Sequence, residues 1–303
     1  MIGRVLKSTG SWYEVVGENQ TRYPCRIRGK MRLEGVKESN PIAVGDQVEF
    51  DEQEGVINQV LPRQNHVLRQ SVKKTGHASV LAANLDQVLI MATLKHPRTS
   101  TGFIDRVLVS AESFRIPQII VVNKHDLLDA EDLKELASMK KTYEDIGIPV
   151  LSISAQEDPD VQSIASILDG KVTLIAGHSG VGKSTLLNRL SPAIKQTTGS
   201  ISGYTEKGTH TTTFAEMFPL NPTTFIIDTP GIKEWGLVDM EPQEVSDYFP
   251  EMRDLRLNCK FGARCLHLTE PRCAVLAAVE QGVVAPSRYQ SYLKIVTGED
   301  NRK

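Results

Sequence analysis

The chain has 303 residues, 40% of them hydrophobic and 24% charged, which suits two or three soluble domains with real cores. A formal net charge of −2 points to no polyanionic partner for the molecule as a whole, so any such surface must be a local patch. The four cysteines are too few for a disulfide scaffold. Neither the first 16 residues nor any later stretch holds an apolar run long enough for a signal peptide or a span of about 18 residues, so a cytoplasmic protein without membrane attachment is expected.

Residues 1–62 lack helical periodicity and offer five short alternating runs, at 3–7, 12–16, 23–27, 47–50 and 55–60, broken by Gly, Asn and Pro. Five closely spaced strands predict a small antiparallel barrel of OB type over residues 1–65. Arg22, Arg26, Arg28, Lys30 and Arg32 all occupy even positions and share one face if the chain stays extended. With Trp12, Tyr13 and Tyr23 as stacking partners, that face is a candidate RNA surface, against the plainer reading of a solvated strand face. Cys25 reads as a small core residue. Residues 66–80 carry Arg69, Lys73 and Lys74, no acid and no clear period, and are expected to form a flexible basic linker.

From residue 81 the texture changes. Apolar, β-branched runs at 87–93, 117–124, 149–155, 171–177 and 223–229 alternate with helical spacing, the pattern of strands buried in a parallel α/β sheet over 81–236. One of these strands runs into GHSGVGKST, Gly177 to Thr185, and then into an amphipathic helix. Gly177, His178, Ser179, Gly180, Val181 and Gly182 would turn backbone amides toward phosphates. Lys183 would reach the β and γ phosphates, Ser184 would ligate Mg²⁺, and Thr185 continues the helix start. NKHD (Asn123, Lys124, His125, Asp126) follows another buried strand. A carboxylate at Asp126 accepts from both N1–H and the 2-amino group of guanine, a donor pair that adenine lacks, so it selects GTP. Lys124 can cover the base, Asn123 braces the loop, and Ser154 with Ala155, at the next strand end, offers an amide for guanine O6.

DTPG supplies Asp228 for Mg²⁺ and the Gly231 amide for the γ-phosphate, and GTHTTT upstream supplies Thr211 or Thr212 as a switch ligand. The position after DTPG, where many GTPases carry a water-orienting glutamine, is Ile232, which leaves His210 as the candidate catalytic group beside Thr212 and Lys183. Ordinary GTPases run phosphate loop, switch threonine, D-x-x-G, N-K-x-D, S-A. Here N-K-x-D and S-A come first, so the order is circularly permuted, a rearrangement tolerated because domain termini often lie close together. Residues 237–303 lose strand signals and hold Cys259, Cys265, His267 and Cys273 in a C-x₅-C-x-H-x₅-C pattern, a complete ligand set for one structural zinc in a helical domain.

The barrel with GDQVEF, NKHD, SISA, GHSGVGKST, GTHTTT, DTPG and the cysteine cluster together resemble the circularly permuted, small-subunit-dependent GTPase family known as RsgA, YjeQ or YloQ, over nearly the whole chain. One residue more separates Cys259 from Cys265 than the family's common C-x₄-C. The resemblance implies an OB barrel, a permuted GTPase domain and a zinc-bearing helical domain. It implies GTP hydrolysis stimulated by the small ribosomal subunit, binding to its rRNA, and a role in late subunit maturation; a monomer binding GTP and GDP is expected. Readings from other classes are a nucleotide-gated RNA-binding or translation-regulating module and a guanine-nucleotide stress sensor, in either of which hydrolysis is incidental.

Overall fold

The structure, a computed structural model, describes residues 1–27, 41–70, 78–191, 215–228, 237 and 240–299. Five strands, β1 (Ile2–Ser8), β2 (Trp12–Gly17), β3 (Arg22–Ile27), β4 (Gln47–Asp51) and β5 (Val56–Val60), run in the order β1-β2-β3-β5-β4. β1 also pairs with β4, so the sheet closes into the expected barrel. Val5, Tyr13, Val15, Cys25, Val48 and Phe50 fill it, each on the inward side of a two-residue alternation. Tyr13 is therefore a core residue, its hydroxyl bonded to the Gly10 carbonyl at 3.2 Å, and is not free to stack on RNA. Tyr23 packs tilted on Phe50 at 5.2 Å, which leaves Trp12 as the open aromatic of the three.

Of the stretch read as a flexible linker, residues 66–70 and 78–80 lie in two antiparallel paired strands, β6 (His66–Gln70) and β7 (Ala78–Ala83), and residues 71–77 lie outside the described residues. Its order comes from outside the segment. Val67 and Ala82 are fully buried, and Ala82 bridges Val44 of the barrel. Gly45 has a left-handed φ of +90°, and a Cβ there would lie 2.1 Å from the Ala83 carbonyl oxygen, so only glycine admits this contact. Asp46, wholly buried, accepts 2.7 and 2.8 Å bonds from the Arg63 guanidinium and another from the Ala43 amide. Arg63, just ahead of the hairpin, is thereby committed to the barrel and not to a partner.

Next comes the α/β unit: β8 (Gln87–Ala92), α1 (Thr101–Glu112), β9 (Gln118–Val122), α2 (Ala130–Glu144), β10 (Val150–Ser152), α3 (Asp158–Leu168), β11 (Val172–Ala176), α4 (Lys183–Leu190), β12 (Glu216–Pro219) and β13 (Phe225–Asp228). Strand order is β10-β9-β8-β11-β13-β12, parallel except for β12. Alternate residues of the strands feed two separate cores: Val88, Ile90, Ile120, Val122 and Leu174 on one face, Leu89, Met91, Val121, Ile175 and Ile226 on the other. That is why these strands read as unbroken apolar runs. The chain winds outward from β8 to β10 and then crosses to β11, so the winding reverses between β8 and β11. Crevices at the carboxyl ends of such strands are where open α/β sheets hold ligands.

The C-terminal region is built from α5 (Pro250–Arg253), α6 (Ala274–Glu280), α7 (Pro286–Val296) and short 3₁₀ turns. Its core of Phe249, Met252, Val275, Tyr292 and three cysteines also takes in Val109 of α1. Arg288 of α7 is buried and donates to Asp105 of α1 at 2.6 Å and to both oxygens of Glu251 at 2.7 and 3.1 Å. Tyr143 of α2 donates to the same Asp105 oxygen at 2.8 Å. No helix among the described residues is long and apolar enough to cross a membrane.

Candidate guanine-nucleotide site and metal cluster

The loop between β11 and α4 carries residues 177–182. Gly180 and Gly182 have φ of +84° and +103°, and a Cβ on Gly182 would meet the Asn123 side-chain nitrogen at 2.2 Å. Lys183 folds back over the loop and donates to the carbonyls of Gly177 and His178 at 2.7 and 2.9 Å. Burial pulls its pKa down, opposed by the nearby Asp228 carboxylate. Ser179, Gly180, Ser184 and Thr185 are exposed, Val181 is buried, and His178 packs tilted on Phe103 of α1 with ring centroids 3.9 Å apart.

Asn123 joins three loops. Its amide nitrogen donates to the Val181 carbonyl and its oxygen accepts from the Ala155 amide, both at 2.8 Å. Lys124 adopts a left-handed φ of 65° and its ammonium is held by the His96 carbonyl. His125 contacts the Ser152 hydroxyl at 2.8 Å, and Asp126 projects into solvent at the mouth of the crevice. The Ser154 amide donates to Asp160 at 2.5 Å, so both amides of the 154–155 pair already have partners, and guanine O6 would share the Ala155 donor with Asn123. His96 and Asp160 are contributors that sequence reasoning missed. One sits in the β8–α1 loop and the other in the first turn of α3, and neither belongs to a motif.

Asp228 ends β13, paired to β11 at Ile175, and so reaches the same edge of the sheet as residues 177–184. Gly231, His210, Thr211 and Thr212 lie outside the described residues, as do Arg28, Lys30, Arg32, Lys73 and Lys74. Arg22 and Arg26 are exposed on one face of β3, as the even spacing predicts, and Arg22 is paired with Glu14 at 2.7 Å.

The donor atoms of Cys259, Cys265, His267 and Cys273 all lie within 4.8 Å of one another, and all four residues are buried. His267 Nδ1 stands 3.5 Å from Cys259 Sγ and 3.2 Å from Cys273 Sγ. Burial is the main influence that raises the Cys265 thiol and pushes the Cys273 thiol to about 12. Three thiols and an imidazole crowded together in an apolar interior are the donor chemistry of a soft divalent metal site. A 3₁₀ turn at Gly262–Arg264 occupies the interval between Cys259 and Cys265. The Glu270 carboxylate accepts from the amides of Leu266, Leu268 and Thr269, and the hydroxyls of Tyr292 and Tyr289 donate to the Leu266 and His267 carbonyls, so the ligand loop is fixed from both sides.

Comparison with known proteins agrees with this geometry. A family model described as RsgA GTPase matches residues 60–238, and one described as RsgA N-terminal domain matches residues 2–57. The small ribosomal subunit biogenesis GTPase RsgA of Christiangramia forsetii is 45% identical, over 99% of this chain and 97% of its own. The protein of the same name from Bacteroides fragilis strain YCH46 is 46% identical, over 100% and 98%. Among solved structures, YjeQ from Thermotoga maritima superposes with a TM-score of 0.78 at 35% identity, covering 100% of this chain and 99% of that one. YloQ, described as a circularly permuted GTPase, gives 0.74 at 29% identity, covering 100% and 96%. With its barrel, its permuted nucleotide crevice and its Cys₃His cluster, the chain belongs to the RsgA family of GTPases.

Proposed function

We propose that this GTPase binds the small ribosomal subunit and hydrolyses GTP there during late subunit maturation, its turnover raised by the subunit. The observation that supports this best is the convergence of NKHD, the phosphate loop and Asp228 on one sheet edge, in permuted order and locked by Asn123. Permutation leaves the barrel and the Cys₃His region at the two ends of the GTPase domain, with the Cys₃His region directly after DTPG, and each can act as a ribosome-facing arm. We take residues 1–65 as the barrel, 81–236 as the GTPase domain and 237–303 as the metal-bearing domain.

Within the crevice, Asp126 accepts from the guanine N1–H and 2-amino groups, Lys124 covers the base and Asn123 holds the loop. The amides of 178–183 and the Lys183 ammonium take the β and γ phosphates. Ser184 and Asp228, with Thr212, form a hard oxygen set that fits Mg²⁺, which when bound neutralises phosphate charge. Gly231 reads the γ-phosphate, and His210 orients water in place of the glutamine that Ile232 replaces. Cys259, Cys265, His267 and Cys273 hold one structural zinc, all four positions being filled by protein. Arg22, Arg26, Arg28, Lys30 and Arg32 contact rRNA.

Multiple-turnover GTPase assays with and without purified small subunits test the reading. Alone, the protein should turn over at roughly 10⁻⁴–10⁻² s⁻¹, and subunits should raise this by about 10³–10⁵. Equal rates in both conditions would overturn it. Elemental analysis should return one zinc per chain, and a metal-free protein with an unchanged melting curve would remove the zinc assignment.

A further inference from the structure

The barrel is joined to the GTPase sheet. β1 pairs with β12, so that eleven of the described strands form one continuous sheet. Along one row of that sheet the registers run Asp228 to Glu216, Glu216 to Lys7, Lys7 to Glu14 and Glu14 to Pro24. Cross-strand partners share a face and stand roughly 5 Å apart at Cβ, so the charges of this row interact. Lys7 binds Glu216 at 3.3 Å, and Arg22 binds Glu14 at 2.7 Å. Asp228 and Glu216 are therefore like charges on neighbouring strands, and Lys7 is the cation that neutralises the second of them.

Lys7 also lines a groove of about 420 Å³ on the outside of the barrel, with Trp12, Glu14, Arg22, Tyr23 and Pro24. Trp12 is 55% exposed there, and the Lys7 and Arg22 side chains are 38% and 58% exposed, each held by a single carboxylate. Two cations flanking an open indole match one phosphodiester and one unstacked base of single-stranded RNA.

We propose that Lys7 is shared between the two sites. In the free protein it neutralises Glu216. A phosphate of single-stranded RNA entering the groove takes its ammonium, leaves the Glu216 carboxylate facing Asp228 unscreened, and so tightens the hold of Asp228 on a divalent cation. The inference rests on the reading of this chain as an RNA-binding subunit GTPase and adds the route by which RNA occupancy reaches the nucleotide site. By linkage, the cation must raise RNA affinity by the same factor. A full charge one strand away from a bound divalent ion, partly screened by salt, changes its affinity by about three- to tenfold.

The test uses the full chain loaded with GDP and Mn²⁺ as probe, titrated by electron paramagnetic resonance with and without a hexauridylate. Hexauridylate binding is read from Trp12 fluorescence in a Trp235→Phe background, since the chain has two tryptophans. Hexauridylate should quench Trp12 and tighten Mn²⁺ by about three- to tenfold. Lys7→Met should tighten Mn²⁺ to the same degree without RNA and abolish any further response. Glu216→Gln should weaken Mn²⁺ and remove the coupling while Trp12 is still quenched. Lys7→Arg, which keeps the charge, should behave as wild type and separates charge from fold. Full coupling in Glu216→Gln, or unchanged Mn²⁺ affinity in Lys7→Met, would overturn the relay; no quenching of Trp12 would overturn the groove as an RNA site. Small-subunit stimulation of wild-type turnover, measured on the same preparation, tells a failed relay from a failed subunit reading.

Discussion

Asn123 shows how few atoms hold the crevice together. One side-chain amide fixes the Val181 carbonyl of the phosphate loop and the Ala155 amide of the base loop, and it fits only because Gly182 has no Cβ. Gly182→Ala is thus a double fault, a strained φ and a collision with Asn123. Asp126, by contrast, makes no demand on the fold, being exposed at the mouth of the crevice. Asp126→Asn should therefore keep the melting temperature while lowering GDP affinity by about a hundredfold, the value of two charge-assisted hydrogen bonds. It should also shift preference to xanthosine nucleotides, whose C2 carbonyl the new amide can meet. Competitive titration of GDP against xanthosine diphosphate decides this, and a retained guanine preference would unseat Asp126 as the base reader. Residues of this kind were legible because motif chemistry is local: glycine where φ is positive, lysine and carboxylate at fixed offsets. His96 and Asp160 were not, because a backbone carbonyl and a lone acid acquire a role only once loops distant in sequence meet.

α1 is the element on which the C-terminal region rests. Ser100 caps its start, Phe103 packs against the His178 ring, and every residue from 103 to 111 is buried. Asp105 and Arg106 would place a solvated face on such a helix; instead Asp105 meets Arg288, Glu112 meets Arg253 and Arg115, and Arg115 reaches Asp247. Nothing in the helical period announces this, since the partners come from residues 247–288. The β6–β7 hairpin escaped for the same reason, its order being supplied by Val44 and Gly45. Arg288→Met should cost about 3–5 kcal/mol, because it strands two buried carboxylates, Asp105 and Glu251. Changing all three to apolar residues should recover most of that loss, as differential scanning calorimetry can check. Burial pushes the Glu112 carboxyl up, but bonds from Gln118, Arg115 and Arg253 outweigh it and hold the group below its ordinary value of 4.5. Its contribution to docking is accordingly complete above that value and lost as pH falls through the lower folded one. Acid should loosen the C-terminal region from α1, visible as faster amide exchange along residues 101–112, and Glu112→Gln should flatten that dependence.

At the scale of the whole molecule the division into barrel and GTPase was readable from the change in hydrophobic period, but their fusion was not. β1 reads as one more short barrel strand. In the structure it has three strand neighbours, β2 and β4 of the barrel and β12 of the GTPase sheet, and Leu6, Val16 and Val44 share a core with Val88, Ile90 and Val107. Sequence periodicity reports which face of a strand is buried and says nothing about what lies across its edge. The barrel is thus part of the scaffold that β12 leans on, and the family models' boundary between residues 57 and 60 falls inside β5, not at a physical gap. A fragment starting at residue 81 would expose the edge of β12 and the apolar surface beneath Leu6 and Val44, a recognised route to aggregation. Such a fragment should melt well below the intact chain, and its nucleotide site, which depends on β13 held by β12, should bind GDP more weakly. Leu6→Asp in the full chain puts a charge into the same contact without removing anything and should lower stability by about 3 kcal/mol or more. Thermal melts with and without GDP distinguish the cases. A fragment as stable and as tight for GDP as the whole chain would mean that the barrel is only tethered to the GTPase and that the shared sheet contributes nothing to its site.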